Sequence, residues 1–474
     1  MLRTSLLILL LTLQICIVTA QEYQNTWESL DSRSIPGWFE DAKFGIFIHW
    51  GVYSVPAWRQ LEPGLYASYA EWYYAKVMYN SNNGGEEFHK KIFGKDFEYR
   101  DFAPLFKAEL FDPVDWADLF KKSGAKYVVL TSKHHDGFCL WPTKSPYKRN
   151  WNAMEIGPER DLVGELSSAV KSTGLRMGLY YSIIEWESCW THRTKTGYYL
   201  PIEIVSNYKI PDDQYVDKHL IPQLKELVES YEPSLIFSDG GEWDGTEEYW
   251  KTKEFLAWLY NESPVKDNVV VNDRFAKDMP GKHGDYFSSE YKDMDESLLN
   301  HPWEESRGIG GSYGFNRAEG IEDYNSSKEL IHELIDIVSR GGNLLLNVGP
   351  GSDGRIPVIM QERLIDIGNW LNVNGEAIYG TRKSSLKKLK KMDQEAWFTG
   401  KENKLYCLFT KWTDTITINL LKEEKIKNVK FLGYDEKIKW KLIRPNQLII
   451  EIPKLTIDEI PCLHAWALKI EFVE

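Results

Sequence analysis

The sequence predicts an α/β barrel of the TIM type, (β/α)8, followed by a C-terminal antiparallel β-sandwich. From about residue 44 to about residue 375, short apolar segments alternate with amphipathic helical patterns, and eight such segments are present, the number that this barrel requires. From about residue 395 short alternating strands follow with no helical pattern between them, which is typical of a sandwich. A doubly wound open sheet is less favoured, because polar residues end strands along the whole series rather than at one switch point.

The predicted strands of the barrel are short and rich in β-branched, aliphatic and aromatic residues. They are Phe44–Gly51, Tyr127–His135, Arg176–Ser182, Leu235–Asp239, Val269–Arg274, Asp285–Glu290, a weaker one near Glu304–Ile309, and Asn343–Val348. Apolar stripes with helical spacing lie between them. One is formed by Val216, Leu220, Leu224, Leu227 and Val228, and another by Leu330, Ile331, Leu334, Ile335 and Val338.

The chain divides into three parts on this reading: residues 1–20, a catalytic barrel over 21–380, and a sandwich over 381–474. The lysine-rich stretch 383–391 is predicted to be a solvated linker between the last two. Residues 1–20 have a cationic start at Arg3, an apolar core and the small-residue pattern that precedes signal-peptidase cleavage. We therefore expect a signal peptide cut before Gln21 rather than a membrane anchor, and a secreted, extracellular or lysosomal protein.

Charge and sequons agree with the secretory route. The net charge of −13 disfavours nucleic acid or an anionic membrane surface as the main partner. Nothing after the first segment is long and apolar enough for membrane insertion. The sequons at Asn261 and Asn325 are candidate N-glycosylation sites. The aromatic content of 14% suits a protein that stacks on sugar rings, although large cores also use aromatics.

Asp239 is the most informative single residue. It ends an apolar strand and precedes Gly240 and Gly241, which let the chain turn sharply and leave room for a ligand near the backbone. A carboxylate at the C-terminal end of a barrel strand lies where the active sites of this fold are found. A helix-capping aspartate is the alternative on this segment alone.

The other predicted strands end in similar chemistry. The strand-end residues, in chain order, are His49, Trp50, His134, His135, Asp136, Tyr180, Tyr181, Asp239, Asn272, Asp273, Arg274 and Glu290. If the barrel forms, all of them face one mouth, and carboxylates with histidines, an arginine and aromatic rings describe a site for a polyol. Glycoside cleavage needs one carboxylate beside the anomeric carbon and a second group that protonates the leaving oxygen.

Two other classes of protein stay open at this point. A metal-dependent hydrolase would use His49, His134 and His135 with Asp136, but neighbours on a strand point to opposite faces, so His134 and His135 are not expected to share one ion. A lectin-like protein on an inactive barrel would keep the aromatics and lose the carboxylates, and both candidate carboxylates are present.

Taken together, the motifs resemble those of the α-L-fucosidases in order and spacing. The matching segments are FGIFIHWG at 44–51, KHHDGF at 133–138, GLYYS at 178–182, SDG at 238–240, NDR at 272–274 and WE at 303–304. The resemblance covers about residues 25–380, and the C-terminal segment stands in the place of the family's β-sandwich. It implies a (β/α)8-like barrel that hydrolyses α-L-fucosides with retention, needs no metal or other cofactor, and acts on fucosylated glycans of glycoproteins or glycolipids. A homo-oligomer is compatible with it.

The resemblance also implies residue roles. The nucleophile falls on Asp239, and the acid/base falls on Glu290 or, as second candidate, Glu304, while Tyr291 would be a weak acid for a glycosidic oxygen. The fucose-holding positions correspond to His49, Glu71, Trp72, His134, His135, Tyr180 and Arg274. Phe237 occupies a position at which bacterial members can carry tryptophan, so stacking there is expected to differ.

Overall fold

The computed structural model describes residues 22–64, 66–79, 84–188, 200–386, 388–390, 395–443 and 445–473. The predicted signal peptide lies outside the described residues. Within them, no helix is both long enough and apolar enough to cross a bilayer.

Eight parallel strands form the predicted barrel. They are β1 (Phe44–Ile48), β2 (Tyr127–Lys133), β3 (Arg176–Ser182), β4 (Leu235–Asp239), β5 (Val270–Val271), β6 (Phe287–Glu290), β7 (Trp303–Gly308) and β8 (Asn343–Val348). The sheet order is β5-β4-β3-β2-β1-β8-β7-β6. A parallel bridge between Asn272 and Tyr286 joins the two ends of this order, so the curled sheet closes. The strands were predicted correctly, but β1 and β2 end two or three residues early and β5 is reduced to two residues.

Helices cover the outer face of the sheet. The α-helices are α1 (Trp27–Leu30), α2 (Gly37–Ala42), α3 (Gly85–Ile92), α4 (Pro113–Lys122), α5 (Leu162–Ser172), α6 (Ile202–Tyr208), α7 (Asp212–Gln214), α8 (Ile221–Tyr231), α9 (Glu247–Trp250), α10 (Thr252–Asn261), α11 (Ser327–Ser339) and α12 (Val358–Asn374). Both predicted apolar stripes lie on helices, although the first begins in a π-helical stretch, Tyr215–Leu220, before α8. Ser326 caps α11 through a capping box with Glu329, which satisfies backbone N–H groups at its start.

Apolar side chains fill both faces of the sheet. The barrel interior holds a separate cluster that includes Phe47, Tyr127, Tyr180, Phe237 and Tyr286. The larger core lies between the strands and the surrounding helices. Strands buried on both faces explain why their sequences read as continuous apolar runs.

The C-terminal region is built of antiparallel strands, as predicted. They are β9 (Arg382–Lys383), β10 (Leu389–Lys390), β11 (Glu395–Lys401), β12 (Lys404–Phe409), β13 (Thr415–Asn419), β14 (Ile426–Phe431), β15 (Trp440–Ile443), β16 (Gln447–Glu451) and β17 (Trp466–Phe472). They form two sheets around one apolar cluster. The Trp370 indole on α12 donates to the backbone of Ala465 at 2.8 Å, which ties the barrel to the sandwich.

The lysine-rich stretch is solvated as predicted, with Lys383 and Lys388 exposed, but the prediction that it is only a linker is wrong. β9 and β10 pair with the two ends of β11, and the Lys388 ammonium lies 3.9 Å from the centre of the Trp397 ring. Lysine on short edge strands protects a sheet edge from further pairing, which explains how so polar a segment belongs to the sheet.

Candidate active site

A cavity of about 1360 Å³ opens at the C-terminal ends of the barrel strands. It is lined by both predicted strand-end carboxylates and by all of the predicted sugar-holding residues, namely Asp239, Glu290, His49, Glu71, Trp72, His134, His135, Tyr180 and Arg274. The predicted convergence is therefore present for these residues, but Trp50, Asp136, Tyr181 and Asn272, which were also predicted to face the mouth, do not line the cavity.

Asp239 is the last residue of β4 and is held by three neighbours. The Tyr180 hydroxyl donates to Oδ2 at 2.7 Å, the Arg274 guanidinium lies 3.4 Å from Oδ1, and His135 Nε2 lies 3.4 Å from Oδ2. Burial alone would raise the pKa of Asp239, but His135 and Arg274, together with the Tyr180 hydrogen bond, hold this pKa below its ordinary value. Asp239 is thus ionised at neutral pH.

The two positions after Asp239 require glycine for different reasons. Gly240 has φ of 84°, the left-handed conformation that glycine adopts without strain. Gly241 packs against the backbone of Phe275, where a Cβ would collide with a carbonyl oxygen. The room that Gly241 provides is therefore filled by the chain itself, not by a ligand as the sequence suggested.

Arg274 connects Asp239 with Glu290. Its Nη1 lies 3.4 Å from Asp239 Oδ1 and 3.3 Å from Glu290 Oε2, and its Nε donates to Ser288 at 2.8 Å. Ser288 in turn donates to Asp273 at 2.7 Å. The guanidinium is thus fixed from behind, and it presents one nitrogen to both carboxylates.

Glu290 ends β6 and faces the cavity beside Tyr69, whose hydroxyl donates to Oε1 at 2.9 Å. Burial raises the pKa of Glu290, the Arg274 charge opposes that rise, and the Asp239 charge adds to it. A carboxyl group with a raised pKa next to an ionised carboxylate is the arrangement of a general acid paired with a base or nucleophile. Tyr291 points elsewhere, because its hydroxyl lies 3.2 Å from the Gly310 carbonyl and accepts from the Gly308 amide.

Glu304 lies at the other end of the barrel. It is fully buried near the start of β7 and accepts a hydrogen bond from the Tyr127 hydroxyl. Glu304 pairs in register with Ser288, two residues before the Glu290–Ser306 pair, and it does not line the cavity. Burial raises its pKa to about 8. Glu304 is therefore a carboxyl group with a raised pKa that lies outside the cavity lining.

The prediction that His134 and His135 point to opposite faces is wrong. β2 ends at Lys133, and a turn follows in which the Gly137 amide donates to the His134 carbonyl at 2.9 Å. Strand alternation no longer applies beyond Lys133, so both rings line the cavity, with their centres 4.3 Å apart. Asp136, the fourth ligand of the alternative metal site, accepts from the Tyr99 hydroxyl at 2.7 Å and does not line the cavity.

The hydrogen-bond partners of two histidines fix their tautomers. His49 Nδ1 lies 2.7 Å from Asn347 Oδ1, an acceptor because Asn347 Nδ2 donates to the Tyr313 carbonyl. His135 Nδ1 lies 2.6 Å from Ser182, whose hydroxyl already donates to the Ile184 carbonyl. Both rings therefore carry the proton on Nδ1. Burial lowers both pKa values to about 4, so His49 presents an unprotonated Nε2, an acceptor for a hydroxyl group, whereas His135 Nε2 faces Asp239 Oδ2 at 3.4 Å.

Glu71 and Trp72 enter the cavity from the segment after β1. Glu71 Oε2 accepts from the Gly314 amide at 2.8 Å and from Ser312 at 3.2 Å, and burial raises its pKa to about 7. The Trp72 ring lies edge-on to His135, 5.7 Å between centres, and 5.6 Å from Trp243. These contacts place an aromatic face next to the carboxylates and histidines.

Sequence reasoning missed several lining residues. Glu242 lies three residues after Asp239, with its carboxylate 3.8 Å from Arg274 Nη1. Burial, with the nearby charge of Asp239, raises the pKa of Glu242 well above its usual range. Its closeness to Asp239 in the chain was the available signal. Tyr69 and Tyr313 also line the cavity, but they lie outside the strands and no local pattern indicates them.

The two sequons lie on different surfaces. Asn325 is exposed, whereas the Asn261 amide exchanges hydrogen bonds with the backbone of Tyr23, at 2.8 and 2.7 Å. A glycan on Asn261 would disrupt that pair. Among the residues described, no group of three histidine, cysteine, aspartate or glutamate side chains is arranged to hold a metal ion.

Comparison with known proteins identifies the family. Residues 11–376 match the family model Alpha-L-fucosidase and residues 390–471 match its C-terminal domain. The chain is 40% identical to human tissue alpha-L-fucosidase and 42% identical to human plasma alpha-L-fucosidase, covering 96% and 95% of this chain and 93% of each relative. The solved Thermotoga maritima alpha-fucosidase in complex with a mechanism-based inhibitor is similar at a TM-score of 0.81 and 40% identity, covering 95% of this chain and all of that one. The chain belongs to the α-L-fucosidase family, whose members are exo-acting glycoside hydrolases.

Proposed function

We propose that the cavity removes terminal α-L-fucose from glycoconjugates by a retaining double displacement, with Asp239 as the nucleophile and Glu290 as the acid/base. The single observation that carries this assignment is the bridge of Arg274 between the two carboxylates, at 3.4 and 3.3 Å. Retaining glycosidases hold their carboxyl groups roughly 5–5.5 Å apart, closer than inverting enzymes do. Asp239 and Glu290 both contact Arg274 Nη1, which fits the closer separation of the retaining enzymes.

The first step forms the fucosyl-enzyme. Asp239 Oδ1 or Oδ2 attacks the anomeric carbon, while the protonated Glu290 transfers its proton to the glycosidic oxygen and the aglycone leaves as an alcohol. The opposed pKa directions of the two carboxyl groups supply one ionised and one protonated group at the same pH. Glu304 is less suited to this role, because it is buried outside the cavity lining.

The second step returns both groups to their starting states. Glu290, now ionised, takes a proton from water, and the resulting hydroxide attacks the anomeric carbon and releases Asp239. Two inversions at one carbon give net retention. Arg274 stays in contact with both carboxylates, so it compensates whichever one carries the negative charge.

Fucose recognition follows from the tautomers. His49 offers an Nε2 acceptor to a sugar hydroxyl, and Glu71, His134 and His135 add polar groups to the cavity lining. Trp72 and Phe237 offer apolar surface to the C5 methyl group. A site that hydrogen-bonds specific hydroxyls discriminates strongly, because an unmatched sugar leaves buried polar groups unpaired.

The cellular route is also a proposal. Relatives include tissue and plasma enzymes, which supports passage through the secretory pathway to a secreted or lysosomal destination. Mature protein should begin at Gln21 and carry a glycan at Asn325. N-terminal sequencing and mass spectrometry after glycosidase treatment would check both; an intact Met1 would contradict the route.

A panel of aryl glycosides tests the function as a whole. We expect turnover of the α-L-fucoside with no loss on adding a chelator, and proton NMR should show α-L-fucose as the first product. Iminosugars of fuco configuration should inhibit competitively, and galacto analogues, which add a C6 hydroxyl, should inhibit far more weakly. First release of β-L-fucose would overturn retention, and equal inhibition by the two iminosugars would overturn the pocket assignment.

A further inference from the structure

The cavity is larger than one sugar requires. A ligand of drug size occupies a pocket of about 300–1,000 Å³, and this cavity measures about 1360 Å³. Its lining extends beyond the predicted fucose contacts to a loop at residues 59–67 and to the segment 292–298. The general acid protonates the leaving oxygen. If Glu290 is that acid, the leaving group of a bound glycoside lies beside Glu290, toward this extra space.

Tyr66 stands out in that loop. Its φ is 65°, a left-handed conformation that costs a non-glycine residue about 1–2 kcal/mol. Its side chain is nearly half exposed, at 48%, yet it lines the cavity. Backbone strain of this kind is costly and is concentrated at sites that bind ligands. An aromatic ring that has such a backbone and is open to a cavity is therefore a candidate for contact with a ligand.

Contacts place Tyr66 one ring away from the proposed acid. The rings of Tyr66 and Tyr69 meet edge-to-face with centres 5.4 Å apart, and the Tyr69 hydroxyl donates to Glu290 at 2.9 Å. Burial raises the pKa of Tyr66, and the Glu290 charge adds to that rise, in accord with a phenol near the reacting groups.

The loop is anchored on both sides of Tyr66. The Asn316 amide donates to the carbonyls of Arg59 at 3.0 Å and Ser68 at 3.1 Å, and the Glu62 amide donates to the Ser68 hydroxyl at 3.2 Å. Asn316 is fully buried. Asn316 and Ser68 do not line the cavity, and their hydrogen bonds hold the loop on both sides of Tyr66.

We propose that Tyr66 is the platform of a leaving-group subsite, which stacks on the apolar face of the second sugar ring of a neutral fucosylated oligosaccharide. The inference rests on the proposed function, since it assigns the leaving group to the Glu290 side. Met294 and Leu298 line the same cavity and add apolar surface to the subsite. The enzyme is thereby adapted to fucose attached to another sugar rather than to a simple alcohol.

Two substrates test the subsite. Methyl α-L-fucoside needs the same acid catalysis but carries no second ring, whereas a fucosyl disaccharide carries one. Tyr66→Gly and Tyr66→Asn both tolerate a positive φ and remove the ring. We expect each to lower the ratio of kcat/KM for the disaccharide over the methyl fucoside by roughly three- to tenfold, the loss of one stacking contact. Tyr66→Phe should keep the ratio within about twofold.

Thermal unfolding separates a subsite from a structural role. Tyr66→Gly relieves backbone strain, so its Tm should equal or exceed that of the wild type while the ratio falls. Leu61→Ala is the matched control, because Leu61 is exposed on the same loop and does not line the cavity; its ratio should not change. A Tm loss in Tyr66→Gly with equal loss on both substrates would overturn the subsite, as would an unchanged ratio. A wild type inactive on both fucosides would overturn the proposed function itself.

Discussion

The two ends of the barrel each hold a glutamate that accepts a hydrogen bond from a tyrosine, and Glu290 is partly buried whereas Glu304 is fully buried. At the C-terminal mouth Tyr69 donates to Glu290, and at the opposite end Tyr127 donates to Glu304. Burial raises both pKa values. Only Glu290 lines the cavity and contacts a guanidinium. A raised pKa therefore reports burial, whereas access and charge compensation distinguish a group that can react.

Among the changes at the C-terminal mouth of the barrel, replacing Asp239 should have the largest effect on kcat. Asp239→Gly removes the proposed nucleophile at a position already followed by two glycines, so the fold should persist while kcat falls by at least about a thousandfold. Azide or formate should restore part of the rate by occupying the vacated space. Steady-state kinetics with circular dichroism as the folding control would check this, and activity above about a tenth of wild type would rule out the assignment.

Glu290→Ala tests the difference between Glu290 and Glu304 through the dependence of the rate on the leaving group. Proton donation contributes about 10²–10⁴-fold in rate, and poor leaving groups depend on it more than activated aryl groups do. We expect a steep dependence of kcat/KM on the pKa of the leaving phenol in the variant. If Glu304→Ala shows this dependence and Glu290→Ala does not, the roles of the two glutamates must be exchanged.

Much of this comparison was available from the sequence. Apolar runs located the barrel strands, which are buried on both faces, while alternation located the sandwich strands and period-3.6 patterns located the long helices. The strand ends predicted that Asp239 and Glu290 face one cavity, since strand ends of a parallel barrel meet at one edge, and the family resemblance implied their proposed roles as nucleophile and first-choice acid/base. The family assignment followed from those motifs taken as a set.

Other features depend on tertiary contacts that no local pattern encodes. The orientation of His134 and His135 depends on where β2 stops, and the sequence placed that end at His135 rather than at Lys133. The distance of Glu304 from the cavity mouth follows from the register of β6 with β7, in which Glu304 pairs with Ser288 and Ser306 pairs with Glu290. Tyr66, Tyr69 and Tyr313 reach the cavity from loops, where chain direction is set by distant anchors such as Asn316.

At the end of the barrel opposite the cavity mouth, Glu304→Ala should lower the free energy of unfolding rather than the rate of the reaction. The change leaves the buried Tyr127 hydroxyl without its acceptor, which costs about 1–3 kcal/mol of unfolding free energy. Glu304→Gln keeps an acceptor oxygen and should lose less. Urea unfolding measures both, and the leaving-group dependence of each variant should match wild type. A stable Glu304→Ala protein with a thousandfold loss of rate would contradict this division of roles.

The smallest expected effect is a shift in pH dependence from removing one hydroxyl. In Tyr69→Phe the hydrogen bond to Glu290 is lost. That bond stabilises the ionised carboxylate and lowers its pKa, so its removal should raise the pKa of Glu290. In the proposed mechanism Glu290 acts when protonated and Asp239 when ionised, so the alkaline limb of kcat/KM should move to higher pH while the acidic limb should stay in place. Tyr127→Phe makes the same chemical change beside Glu304 and should leave both limbs unchanged. A downward shift in Tyr69→Phe, or an equal shift in Tyr127→Phe, would show that the group titrating in the rate profile is not Glu290.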